Sequence, residues 1–375
     1  MRIDMHFIQN HSPANLNRDD IGSPKTCYFG GVLRLRISSQ CIKRSIRTSE
    51  QFKHLCKGVR TRQLARLIAD RIDGSATLRK RAVQILAKLG IACDDDGRSD
   101  MLVYTTHEAI DRIAAELKAA TTDSDALVAR CRTLIESLVH VPDMALSGRM
   151  LETGEMANTT VEAALQVAHA ISTHEAHPEV DYYVAKDDIP GTDAGAGYVD
   201  EALFASACFY KYFSIDWEQL KRNLKDNAPL AAHTVGAFLR AAALTTPTGK
   251  QNSFAAHNPP DGILIDFRDV PISYANAFAD PVTPDRGRNI IAQSIAQLAQ
   301  YANDLDVAYG RPHKRLWFSP NLRYPLVVQR DGSETPLADE NIPTLDKLVS
   351  AFVGVIGFDW NDVQKALPQL TEVQP

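Results

Sequence analysis

The chain has 375 residues, 45% of them hydrophobic and 23% charged, with a formal net charge of −5 at pH 7; that leaves room for two domains, or one large domain with insertions, around a substantial core. Its apolar runs are short and interrupted, so no transmembrane helix is expected, and its six cysteines (Cys27, Cys41, Cys56, Cys93, Cys131, Cys208) are scattered without a CxxC pair, which excludes a zinc ribbon or disulfide framework and points to a reducing, cytoplasmic setting. The charge is uneven: residues 1–90 hold 18 Lys+Arg against 6 Asp+Glu, a balance of +12, and the remainder balances at −17, so the N-terminal quarter suits an anionic polymer.

A strand is predicted over Arg2–Gln9, where Ile3, Met5 and Phe7 alternate with polar neighbours. The opening Met-Arg-Ile-Asp leads straight into it, so no signal peptide is expected. An irregular basic loop follows (Asn17, Arg18, Asp19, Asp20, Lys25), then a glycine turn at Gly30-Gly31, a strand Val32–Ile37 and a helix opening on Ser38-Ser39-Gln40. Along that strand Leu33, Leu35 and Ile37 face one way and Arg34 and Arg36 the other. Along the helix Gln40, Lys43, Arg44 and Arg47 form one stripe, while Ile42 and Ile46 can face a core. Ser38 or Ser39 is a good N-cap. A helix start with free N–H groups, two hydroxyls and a row of cations suits a string of phosphates; the plainer reading is a solvated helix face.

Helices are predicted at Thr61–Ile72, Ala76–Leu89, from Thr106 to about Ala120, and at Ser124–Val139, with an acidic loop at Cys93–Asp100. Residues 59–139 therefore read as a helical insertion into an α+β core. Beyond it come an extended piece at Met144–Met150, a helix at Val161–Thr173 and a strand at Val180–Lys186 carrying Tyr182-Tyr183. A glycine-rich loop, Pro190 to Gly197, links that strand to another at Ala207–Phe213; loops of that length are usually functional. Helices at Trp217–Lys225 and Pro229–Leu244, a polar connection at Thr246–Asn258, strands at Ile263–Phe267 and Arg315–Phe318, and helices at Arg288–Asp306 and Leu345–Ile356 complete the chain.

Several constellations invite an enzymatic reading. Asp19-Asp20 resembles an acidic pair, but adjacent side chains diverge and Arg18 is next door, which suits a loop that caps itself. His169, His174 and His177 lack the spacing of a metal motif. No GxSxG, GxxxxGK[ST] or GxGxxG precedes a helix. The Tyr182-Tyr183 pair is strand packing or, beside a basic groove, a base-stacking element.

One ordered set of blocks carries a family resemblance. It runs His11-Ser12-Pro13, Leu16-Asn17-Arg18-Asp19-Asp20, Phe29-Gly30-Gly31, Arg36-Ile37-Ser38-Ser39-Gln40 and Lys43-Arg44, then Ala145-Leu146-Ser147-Gly148-Arg149-Met150 and Ala168-His169-Ala170-Ile171-Ser172-Thr173-His174. Val180-Asp181-Tyr182-Tyr183, Gly249-Lys250-Gln251, Phe254-Ala255-Ala256, Asn258-Pro259 and Ser273-Tyr274-Ala275-Asn276-Ala277-Phe278 follow. This resembles the CasC family, the crRNA-binding backbone subunit of the type I-E CRISPR surveillance complex, Cascade. The blocks reach to about residue 280; the 59–139 insertion and the region after 280 match only in general character.

The resemblance implies an α+β protein shaped like a hand. An RRM-like (ferredoxin-like) palm (1–58, 140–180 and 205–375) would carry helical fingers (59–139) and a long thumb loop (181–204). It implies a non-catalytic subunit that oligomerises along the crRNA, needs no cofactor or metal, and presents the guide for pairing with target DNA. Implied partners are other copies of itself, the crRNA endonuclease, the 5′-handle subunit and the large and small subunits, with no membrane. The implied RNA-binding residues are Arg18, Lys25, Arg36, Ser38, Gln40, Lys43, Arg44 and Arg47, with Met150, Tyr182 and Tyr183 as wedges beside a displaced nucleotide. The family favours Trp-Phe where this chain has Tyr-Tyr, which adds polarity to the wedge. Two alternatives remain open: a backbone subunit that also cuts target RNA through Asp19 or Asp20, and a metabolic enzyme with an incidental basic face.

Overall fold

The computed structural model describes residues 1–151, 153, 156, 159–185, 198–284, 287–330 and 332–371. In chain order the elements are β1 (Arg2–Ala14), β2 (Thr26–Phe29), β3 (Val32–Ile37), α1 (Ser39–Arg47), β4 (Gly58–Thr61), α2 (Leu64–Asp70), α3 (Ala76–Lys88), β5 (Val103–Thr106), α4 (His107–Ala119), α5 (Asp125–Ser137) and α6 (Pro142–Ser147). Then come β6 (Leu165–Val167), β7 (Ala170–Ser172), β8 (Glu179–Ala185), β9 (Tyr198–Asp216), α7 (Trp217–Asn223), α8 (Ala228–Leu244), α9 (Gln251–Phe254) and β10 (Gly262–Arg268). The last are α10 (Ile290–Tyr309), β11 (Lys314–Phe318), β12 (Val327–Arg330), β13 (Ser333–Pro336), β14 (Asn341–Ile342), α11 (Leu345–Val355) and α12 (Trp360–Thr371). The chain divides into two compact units.

The first unit comprises Met1–Gln51, Val167–Ser214 and Val235–Asp362. Its sheet runs β14-β11-β10-β1-β9-β7-β3-β2, with β6 and β8 also pairing to β9. β1 and β10 are antiparallel with Ile3 opposite Phe267 and Phe7 opposite Ile263. Alternation sends odd-numbered β1 residues to one face, where Phe7 meets Phe213 edge-on at 5.4 Å and Phe213 meets Phe238 of α8 at 5.4 Å. The even face, polar in sequence, is not solvated but buried at its centre: Asp4 and His6 are both 0% exposed.

That even face holds an ionic layer. Arg315 on β11 grips Asp266 on β10 through two bonds of 2.7 Å and Asp306 on α10 through a third of 2.7 Å. Arg268 donates to the same Asp306 at 2.7 Å, and the Tyr274 hydroxyl donates to Asp266 at 2.7 Å. Burial works against the Asp266 charge, but Arg315 outweighs it and holds the carboxyl below its usual range. His6, stacked on Tyr274 at 4.2 Å, is pushed down to about 3 by burial and so stays neutral. Around this layer Ile8, Cys208, Leu264, Ile295 and Leu298 form the apolar core under α10.

The second unit comprises Phe52–Gln166, Ile215–Thr234 and Val363–Pro375. Its core gathers Leu64, Ile68, Ile85, Leu86, Ile110, Ile113, Leu117, Leu127 and Ile135, apolar residues from one face each of α2, α3, α4 and α5. Thr106 caps α4 by accepting from Ala109 N–H, and Ser124 caps α5 by accepting from Leu127 N–H. The short antiparallel pair β4–β5 is only half marked in the sequence, since Gly58–Thr61 carries no clear alternation.

Two expectations are overturned. Met144–Met150 is not extended: Pro142 starts α6, a position where its missing N–H costs nothing. Val161–Thr173 is not a helix. Its alanines suit one, but the segment forms β6 and β7 because β9 and β3 offer ladder partners, with Ile171 opposite both Arg36 and Tyr210. The Pro190–Gly197 loop, Lys186 to Ile189 and Arg286 lie outside the described residues. No helix among the described residues is long and apolar enough to cross a membrane.

Candidate nucleic-acid interface

The interface is built from a loop tied down at both ends. Asn15 donates from Nδ2 to Gly22 O at 2.9 Å and to Leu203 O on β9 at 2.7 Å. Asp19 accepts from the N–H groups of Ile21 (3.1 Å) and Ser23 (2.8 Å), a self-capping turn. Lys25 N–H donates to Asn17 O at 2.8 Å, and Asn17 Oδ1 accepts from Ser38 N–H at 2.8 Å. The loop is thereby fastened to the first residue before α1.

The hairpin β2–β3 behind it turns on Gly30 and Gly31, at φ +61° and +82°, a region open mainly to glycine. A Cβ at Gly30 would lie 1.7 Å from Ala279 O, so the position excludes every other residue for two reasons.

α1 itself is amphipathic as expected. Ile42 and Ile46 are buried, Ser38 Oγ accepts from Cys41 N–H at 3.3 Å, and Arg44 and Arg47 occupy the last turn, where cations favour the helix dipole. Gln40 is exposed and Lys43 half-buried on the opposite stripe. Among the described residues the side chains of Arg18, Lys25 and Arg44 make no ion pair, whereas in the second unit Arg71 pairs with Asp111 and Arg130 with Glu116 of α4.

Arg34 and Arg36, alike in sequence, part company. Arg34 is fully buried and donates to the carbonyls of Thr173 (2.8 Å) and Phe278 (2.8 Å), with longer bonds to Ser172, Ala279 and Phe29. It is a structural clamp. Arg36 is half-buried, donates to Thr26 O at 3.3 Å and meets His169 Nδ1 at 2.8 Å. Burial and then Arg36 itself lower the His169 pKa, which keeps the imidazole neutral and able to accept. His174 is engaged elsewhere, with Nε2 accepting from Cys208 N–H at 3.2 Å. The three histidines do not converge, and no cluster of metal-ligating side chains occurs among the described residues.

An open cleft of about 480 Å³ lies between the loop and α1, lined by Arg18, Asp19, Asp20, Arg44, Ser45, Thr248 and Gly249, among others. Gly249 packs so tightly on the loop that a Cβ would sit 2.5 Å from Leu16 O. Sequence reasoning does not place Thr248 and Gly249 at the site. Their only signal is the Gly249-Lys250-Gln251 block, since more than 200 residues separate them from the loop.

The expected wedges divide between the units. Tyr182 and Tyr183 stand on β8, opposite Glu201 and Asp200 of β9. Adjacent strand residues point to opposite faces, so the two rings leave β8 on opposite sides. Tyr182 is 71% exposed; Tyr183 is 41% exposed and donates its hydroxyl to Asp200 at 3.0 Å. Met150, in the second unit, is 75% exposed between two buried neighbours. Arg149 anchors one side by donating to Thr159 O and Ile135 O, both at 2.9 Å, and Leu151 enters the apolar core on the other.

A family model described as CT1975-like protein matches residues 3–351. The chain belongs to the CT1975-like protein family. Two solved structures resemble this family member over 95% of its chain and 100% of theirs. One, described as "CRISPR RNA-guided surveillance complex, pre-nicking", has a TM-score of 0.80 at 30% identity. The other, described as "CRISPR RNA-guided surveillance complex", has a TM-score of 0.61 at 27% identity. No curated protein matches the chain. These matches bear out the resemblance to Cascade subunits read from the sequence. The CT1975-like match spans both units and stops short of α12.

Proposed function

We propose that this CT1975-like protein is a non-catalytic crRNA-binding backbone subunit of a type I-E Cascade, arrayed in several copies along one guide RNA and presenting it for pairing with target DNA. The observation that carries this reading is the set of unpaired cations Arg18, Lys25 and Arg44 beside a capped helix start. Such a surface attracts phosphates without reading bases, which is what a subunit needs when base pairing does the sequence reading. Arg36, Ser38, Gln40, Lys43 and Arg47 extend that surface.

An RRM-like palm is supported by the central strand order β10-β1-β9-β7, with α1 between β1 and β7 in sequence and α8 between β9 and β10. The fingers are assigned to 59–139 and the thumb to 181–204, with Met150 and Tyr182 as wedges. The acidic remainder of one copy would meet the basic face of the next, a head-to-tail arrangement that propagates along a strand. The other Cascade subunits and the cytoplasm follow from the same reading.

Co-expression with a guide tests it: the purified protein should carry RNA of uniform length, and recovery free of RNA would count against it. The cleaving alternative is weakened by Asp19, whose Oδ1 is committed to its own loop. Incubation of the guide-loaded protein with labelled complementary RNA and Mg²⁺ should leave that RNA intact; regular cleavage lost in Asp20→Ala would establish the alternative.

A further inference from the structure

The cleft beside α1 holds something a pure phosphate groove does not need. Arg18 and Arg44 line it, and so does Asp20, an exposed carboxylate; among the described residues none of the three side chains has an ion pair, and Asp20 has no hydrogen bond. A loop that merely neutralised itself would close Asp20 onto one of those guanidiniums. Here the loop is held open. Asn15 ties it to β9, Asn17 to α1, Asp19 to its own backbone, and Gly249 packs beneath its Leu16 carbonyl. Lining the same cleft is Thr248, exposed, with a hydroxyl that no neighbour among the described residues uses.

Unpaired guanidiniums select phosphate oxygens. An unpaired carboxylate selects hydroxyl donors, as the acidic residue of dinucleotide folds selects a ribose hydroxyl. A polymer offering both at nucleotide spacing is RNA, whose 2′-hydroxyl distinguishes it from DNA. Resting on the proposed function, we infer that this cleft is the element that selects RNA over DNA: Asp20 accepts from a guide ribose 2′-hydroxyl, Thr248 donates to the same hydroxyl's oxygen, and Arg18 and Arg44 hold the phosphates on either side.

The test compares binding of one guide-length sequence as RNA and as all-deoxy DNA to the full chain, for wild type, Asp20→Ala and Thr248→Val. Both positions are exposed, so neither change should disturb the fold. Wild type should prefer RNA; Asp20→Ala should cut RNA affinity about tenfold, in line with a lost bond to a charged acceptor, and leave DNA affinity unchanged or higher. Thr248→Val should act in the same sense but less. Equal loss for RNA and DNA, or no RNA preference in wild type, overturns the inference while leaving the groove intact. Failure to bind either polymer overturns the groove as well. Repeating the series in EDTA should change nothing; an RNA preference that vanishes there would assign Asp20 to a bridging cation instead and overturn direct hydroxyl recognition.

Discussion

The first unit holds two groups of charges, and they obey opposite rules. In the layer beneath α10, Arg268, Arg315, Asp266 and Asp306 are almost wholly buried, and every one is paired. On the loop and helix around the cleft, Arg18, Lys25, Arg44 and Asp20 are exposed or half-buried, and none has an ionic partner among the described residues. Buried charges must be matched inside the fold, because desolvation is costly. Exposed charges held apart by a rigid loop remain available to something outside it. The difference separates residues that serve the fold from residues left available to a ligand, even where the sequence shows only one basic stretch.

The most severe way to test the distinction is to break the paired layer. Arg315→Met leaves Asp266 and Asp306 to Arg268 alone, and should cost about 3–5 kcal/mol of stability. Denaturant unfolding should show that loss, with RNA affinity per folded molecule unchanged.

Lys211 sharpens the contrast, since it is buried yet, among the described residues, donates only to the neutral amide of Gln9. Burial lowers its pKa from 10.5 to about 8. Between those values the unfolded chain binds the proton and the folded one does not, so stability should rise with pH through that window, by roughly 3–4 kcal/mol. Unfolding curves for Lys211→Met should lack that rise; identical pH profiles would refute the assignment.

Tyr182→Ala should leave RNA binding by the isolated chain nearly intact and weaken target binding by the assembly by about 1–3 kcal/mol for each base left unstacked. Tyr183→Ala should do less, because its hydroxyl is already turned to Asp200. The smallest effect belongs to Lys43→Ala, which should weaken RNA binding regardless of sequence and lower the salt slope by about 0.7. An unchanged slope would remove Lys43 from the groups that touch phosphate.

Local signals made much of this legible in the sequence. The Val32–Ile37 strand, the Ser38 cap, the buried Ile42 and Ile46, and the caps at Thr106 and Ser124 all follow from neighbours within a few residues. The Met144–Met150 miss was local, at the Pro142 start of α6; the rest was decided at long range. Val161–Thr173 became strand because β3 and β9 needed partners, and Arg34 became a clamp because carbonyls near residues 172 and 278 surround it. Periodicity alone gave Arg34 and Arg36 the same standing. The cleft was legible only by half: the loop and α1 stood out by charge, while Thr248 and Gly249 reach it through tertiary packing.

Arg18 and Arg44, cations without an ion pair among the described residues, should be central to holding the guide. A salt titration of guide-length RNA binding, run in parallel on wild type and Arg18→Ala/Arg44→Ala, tests it directly. The expected result is a steep linear fall of log affinity with log salt in wild type and a slope shallower by about 1.4 in the double variant, about 0.7 for each phosphate no longer neutralised, with unfolding stability unchanged. Equal slopes in the two proteins would contradict the claim.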